Sequence, residues 1–302
     1  MKLIKDLPVP IAGLALGTVA LGNLLQIHSS KIQLLCNFLS LAIVILLLLK
    51  FIIYSSSIKE IISKPILITV VATFPMSIVL LSSYFEKYIG IYSFIFWILA
   101  FLLQLIIICI VFVKYVIKER KIGNIYPTWY IAFVGPAVVT VTAKTYNLEW
   151  LGEIVFYFTL VNYLILIPIV LYRVFIYKNL MSGEYPTITI LAAPGGLLLT
   201  SYMVGIANKN YYLTIFLVII AIVFYTFILM NLPKLLNREF FPSFSAFTFP
   251  LIICATSFQK VANYQQIINS SLFNILVIVS EIVAIFIVIF VYYKYIIHFT
   301  RK

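Results

Sequence analysis

AFTFPLIICATS, residues 246–257, places a proline deep inside an apolar run, and its core recurs far upstream as ATFPMS at 72–77. Proline lacks an N–H and crowds the carbonyl one turn earlier, so a helix loses a hydrogen bond wherever one sits in its interior. Facing lipid, the freed carbonyl would cost on the order of several kcal/mol, so such helices belong where protein or a water-filled cavity surrounds them. These two stretches therefore predict interior helices.

The rest of the chain agrees with a membrane setting. Of its 302 residues 64% are hydrophobic and 10% charged, and the mean hydropathy is +1.15, which excludes a soluble globule. Cys36, Cys109 and Cys254 all fall in apolar stretches without metal-type spacing, so they read as small core residues rather than a disulfide framework or zinc site. The first apolar stretch, from Leu7, has no small-residue cleavage pattern and reads as a retained helix.

Crossing a hydrocarbon core of roughly 30 Å takes about 20 apolar residues. Ten segments qualify: 8–26, 33–53, 65–85, 91–113, 127–145, 151–175, 186–207, 211–231, 242–259 and 272–296. An even number puts both termini on one side. Of the 21 Lys and Arg, all but Lys31, Lys87, Lys144, Lys209 and Lys260 fall on that side, which the positive-inside rule makes cytoplasmic. The expected location is the plasma membrane. The net charge of +12 mostly expresses this asymmetry, and nucleic-acid binding has no place in it.

Proline and glycine then divide the segments by parity. Four odd segments begin at a proline and meet a second one eight to ten residues later: Pro65/Pro75, Pro127/Pro136, Pro186/Pro194 and Pro242/Pro250. The first has a compressed version, Pro8 and Pro10, and the even segments have no interior glycine. A proline at the first helical position is harmless. The second lies roughly 12–15 Å further in, near the bilayer centre, where it should kink the helix. The chain thus predicts an all-α membrane protein of five helical hairpins, with Pro-kinked odd helices ringing a pore and smooth even helices outside. Close packing of small residues without a pore is the alternative for any one such helix; five in alternation favour a lined path.

The odd helices all run from the cytoplasm outward, so their N-termini converge, each with about half a positive charge. With the basic loops this predicts an entrance that concentrates anions. Inside, the odd segments carry no Asp, Glu, Lys, Arg or His between their first prolines and the outer rim, where Lys144 lies. A neutral lumen favours weakly hydrated anions over strongly hydrated ones, and no acidic ring of the kind cation channels use is visible.

LPVPIAGLALGTVALG at 7–22 and AFTFPLIICAT at 246–256, with the five Pro-broken helices, resemble the tellurite-resistance/dicarboxylate transporter family, to which the slow-type anion channels of plant guard cells belong. The resemblance implies a homotrimer whose protomers each have a pore, lined by the odd helices and plugged by a phenylalanine of the ninth segment. On the matching motif that residue is Phe249. Phe74 of the second TFP is a candidate secondary constriction, with ordinary packing as its alternative. Leu251, Ile252 and Ile253 are more apolar than the family pattern.

Small anions are the expected substrates. The alternative is a proton-coupled transporter of four-carbon dicarboxylates or tellurite, for which Glu281 in the tenth segment is the one candidate proton carrier; a role at a trimer contact is its competing reading. Glu149 and Glu153 suit a helix N-terminus. His28 and His298 lie far apart, and no constellation suggests an enzyme, a metal or a cofactor.

Overall fold

The computed structural model describes residues 2–264 and 271–300, and the described residues form helices and connecting turns without a strand. A short α1 (Lys2–Asp6) precedes α2 (Ile11–Leu25), α3 (Ser30–Ile53) and α4 (Ser56–Ser63). The third apolar segment is split into α5 (Pro65–Val70) and α6 (Thr73–Ile89); α7 (Ile91–Val111) continues as a π-helix over Phe112–Glu119. The fifth is split into α8 (Trp129–Phe133), α9 (Ala137–Thr142) and a 3₁₀ turn, Ala143–Tyr146. Then come α10 (Glu149–Leu171) with a π-helical end, a 3₁₀ stretch Ser182–Ala192 leading into α11 (Ala193–Gly205), and α12 (Tyr211–Leu236). A second 3₁₀ stretch, Pro242–Phe247, leads into α13 (Thr248–Ala262), and α14 (Ser271–Thr300) ends the described chain.

Eight helical spans among the described residues are long and apolar enough to cross a membrane. The first and fifth expected segments are not among them, because α2 is short and the fifth is broken at 134–136.

The second prolines do not kink continuous helices as the sequence suggests; they sit where helices restart. Pro10 and Pro136 immediately precede α2 and α9, Pro194 is the second residue of α11, and Pro75 and Pro250 are the third residues of α6 and α13. In a first turn the N–H has no intrahelical partner to lose, so each proline costs little there. The carbonyls upstream are taken by other groups. Val71 and Ile190, four residues before Pro75 and Pro194, accept from the N–H groups of Phe74 and Ala193. Ala132, four before Pro136, accepts from the side chain of Gln104 on α7 at 3.1 Å, as does Ile131.

Burial follows parity. In the broken spans 65–89, 182–205 and 242–262, 78%, 78% and 83% of the most apolar stretch is buried, against 28–33% in the continuous helices. Leu, Ile and Phe side chains such as Phe38, Ile95, Ile165, Ile219 and Ile282 cover the outside, as a lipid-facing surface requires. Among the buried elements α2 packs on α6, α6 on α9, α9 on α11, α11 on α13, and α13 again on α2. Glycine allows the closest of these approaches: a Cβ on Gly17 would lie 2.3 Å from Thr248 Oγ1, and one on Gly196 would lie 2.8 Å from Cys254 Sγ. Cys36 and Cys254 are buried as expected, but Cys109 is exposed on α7 and is not a core residue.

Candidate functional site

The starts of all five buried segments surround one cavity of about 500 Å³. Pro8, Ile66, Thr187 and Pro242, at or beside the first prolines, line its mouth, so these four segments run in one direction; the fifth first meets the cavity at Tyr130. Gly13 and Leu16, Thr73 and Met76, Val134 and Gly135, Pro194 and Leu197, and Phe249 and Pro250 line its inner part, and no lining residue lies further along its segment than these. The cavity therefore stops where the helices restart. Pro10, Pro194 and Pro250 line it themselves, whereas at Pro75 and Pro136 the neighbours Met76 and Gly135 do.

Phe249 stands at that inner end, 6% exposed. Its position is held from α2: the Thr248 hydroxyl donates to the Gly13 carbonyl at 3.0 Å, and the bare backbone of Gly17 lets α13 come close enough for that bond. Phe249 belongs to the first turn of α13, so the irregular backbone lies upstream at 242–247 rather than at the residue before the proline. Phe74 does not share this place. It does not line the cavity, and its ring meets Phe51 of α3 edge-on with centroids 5.4 Å apart, which makes it a packing residue between an inner and an outer helix.

The wall is apolar over most of its depth, with Val9, Ile66, Val70, Ile131, Ile190 and Leu197 among its side chains. Its charged residues are Asp6, Glu60, Glu184 and Lys50, so the mouth itself is not the purely basic entrance that the loops suggest. Two of the three carboxylates have partners. Glu60 pairs with Lys64 at 2.7 Å, whose hydrogen bond and charge hold its carboxyl below the usual carboxylate range. Buried Glu184 accepts the Met181 N–H at 2.9 Å. Lys50, buried at 9% exposure, donates to the carbonyls of Leu7 at 2.5 Å and Lys5 at 2.8 Å and has no carboxylate within ion-pair distance among the described residues. It fixes the N-terminal segment against α3 and places one cation in the cavity wall. Sequence reasoning used Lys50 only for topology; its place at the end of an apolar helix was the signal available.

Glu281 lies away from the cavity. Its carboxylate accepts from Gln259 of α13 at 2.7 Å and meets His28 at 3.2 Å, near the end of α2. These partners belong to the same chain, so no trimer contact is needed to satisfy it. His298 packs on Phe240, and the two histidines share no site. No group of metal-binding side chains occurs among the described residues.

Broken helices buried within continuous apolar ones, around a cavity whose inner end Phe249 lines, define a membrane protein of the channel and transporter type. The voltage-dependent anion channel (SLAC1) family profile matches residues 6–296, and the chain belongs to that family. This is the family that the motifs at 7–22 and 246–256 resemble. No curated protein gives a significant match to the chain.

Proposed function

We propose that the protein passes small, weakly hydrated monovalent anions across the plasma membrane through a path that continues the cavity and is closed at rest by Phe249. In this reading α2, the split segments 65–89 and 127–146, and the segments 182–205 and 242–262 form an inner ring of five within ten crossings, with both termini in the cytoplasm. The functional unit is a homotrimer with one pore per protomer. The observation that supports it is the convergence of all five buried segments on one apolar-walled cavity that ends at Phe249. A ring at an uncharged constriction blocks ions by filling space and excluding water.

The three cavity carboxylates keep a second reading, proton-coupled uptake of a dicarboxylate or tellurite, in view. Purified protein in liposomes separates the two. Under opposed nitrate and proton gradients, a reversal potential that follows nitrate supports the channel; one that moves with the proton gradient supports coupling.

A further inference from the structure

A second concavity, of about 410 Å³, opens sideways on the membrane-facing surface between the π-helical end of α7 and the C-terminal half of α10. Its walls are apolar: Phe112, Val116 and Ile165 are exposed to the surroundings, while Trp129 and Phe133 of the inner element α8 form its buried floor. The polar atoms nearby are turned to other tasks. Tyr115 donates its hydroxyl to the Ile62 carbonyl, Trp129 Nε1 donates to the Asn124 carbonyl, and Asn162 Nδ2 donates to the Phe158 carbonyl.

The end of this cleft where the π-helical stretch of α7 stops is cationic. Arg120 and Lys121 both line it, and neither pairs with a carboxylate among the described residues. The adjacent acid, Glu119, is occupied by the Asn124 amide at 2.6 Å. Arg120 Nε donates to the Ile117 carbonyl at 2.8 Å, which leaves the two outer guanidinium nitrogens for another acceptor. Its backbone is in the left-handed region, φ 46, which turns the chain sharply at the rim.

We propose that this cleft binds an anionic phospholipid, one acyl chain against Phe112, Val116, Phe133 and Ile165 and the phosphate on Arg120 and Lys121. An apolar slot that ends in two unpaired cations at the level where a helix leaves the bilayer matches both parts of such a lipid, whereas a zwitterionic lipid would bring its own cation to the same rim. The bound chain would touch α8, whose neighbouring residues Tyr130 and Ile131 line the central cavity, so the lipid supports the wall of the path from behind.

Native mass spectrometry of delipidated protein supplied with phosphatidylglycerol or phosphatidylcholine tests this without any measurement of transport. At about 1 kcal/mol per basic residue near the surface, two residues predict about thirtyfold stronger retention of phosphatidylglycerol. The double variant Arg120→Gln, Lys121→Gln should bring the two lipids close to parity, and Ile165→Trp, which fills the slot, should weaken retention of both. Equal retention of the two lipids by the unmodified protein overturns the proposal, as does a preference that survives the double variant. Cross-linking of Ile165→Cys to a second copy of the chain while phosphatidylglycerol is bound would also overturn it, because the cleft would then be a protein contact.

Discussion

At the scale of single residues, the two phenylalanines of the repeated TFP stretch have parted company. Phe249 faces a cavity and Phe74 faces Phe51, although the local sequences are nearly the same. Phe249→Ala should raise anion flux severalfold without reversing selectivity, with Phe249→Leu intermediate, in liposome flux or oocyte recordings. Phe74→Ala should leave flux nearly unchanged and instead cost about 3–5 kcal/mol of stability, as loss of a packed core ring does. If Phe249→Ala protein is folded, reaches the membrane and carries no more current than the parent, the gate is elsewhere. Glu281 offers a complementary test. Glu281→Gln keeps an acceptor for Gln259 and should preserve the pH dependence of flux, because the carboxylate is outside the cavity. Glu281→Leu would leave the Gln259 amide, which is 4% exposed, with only the Leu24 carbonyl at 3.5 Å, at about 1–3 kcal/mol of stability. Loss of proton-driven uptake in Glu281→Gln would favour the coupled transporter.

Among elements, the breaks in the buried helices are closed by their own backbone and, at Ile131 and Ala132, by a side chain of an outer helix, and this part was only half legible. Proline spacing located every break, because a pyrrolidine ring limits where a helix can run. It could not show that the prolines sit in first turns, since that depends on whether the preceding residues wind as 3₁₀ or α, a choice settled by tertiary packing. Nor could it show that a side chain of an outer helix would repair one break. Gln104 looks like a stray amide in IYSFIFWILAFLLQLIIICIV, yet it is 3% exposed and bonded to the carbonyls of Ile131 and Ala132. Gln104→Leu should therefore lower stability by about 1–3 kcal/mol despite raising the hydrophobicity of a membrane helix. A thermal midpoint in detergent that is unchanged or higher would show that the break tolerates open carbonyls. The glycines make a parallel case. Gly17 reads in sequence as one more small residue, and only the approach of Thr248 shows that a methyl has no room there. Gly17→Ala should cost about 1–3 kcal/mol through overpacking and disturb the closed state, since Phe249 is the next residue. Unaltered basal flux with unaltered stability would mean that α2 and α13 can separate freely.

For the whole molecule the question raised by the proposed anion path is where its selectivity would reside, because Lys50 alone of the basic residues that set orientation lines the cavity. The basic excess on the side of the termini was visible in the sequence, but which charges would meet in one cavity was not, as Asp6, Lys50, Glu60 and Glu184 come from separate parts of the chain. With three carboxylates in the wall, one of them paired to Lys64, the buried Lys50 ammonium is the cation closest to any ion inside. At an effective dielectric of about 20 and a separation of about 8 Å, a unit charge changes an ion's energy by about 2 kcal/mol, roughly thirtyfold in occupancy. Lys50→Gln should accordingly lower anion flux by an order of magnitude and let potassium contribute to the reversal potential, while Lys50→Arg should retain most of the selectivity. The substitution also removes a donor from the Lys5 and Leu7 carbonyls, so folding must be measured alongside flux. In the unmodified protein nitrate and iodide should pass ahead of chloride, because a mostly apolar wall whose one cation is Lys50 cannot replace an anion's full hydration shell. Reversal potentials recorded in proteoliposomes across potassium nitrate and potassium chloride gradients decide the matter. If the parent protein tracks potassium, the carboxylates dominate and the anion path is wrong; if Lys50→Gln folds and keeps the parent's selectivity, the basic loops outside the cavity set it instead.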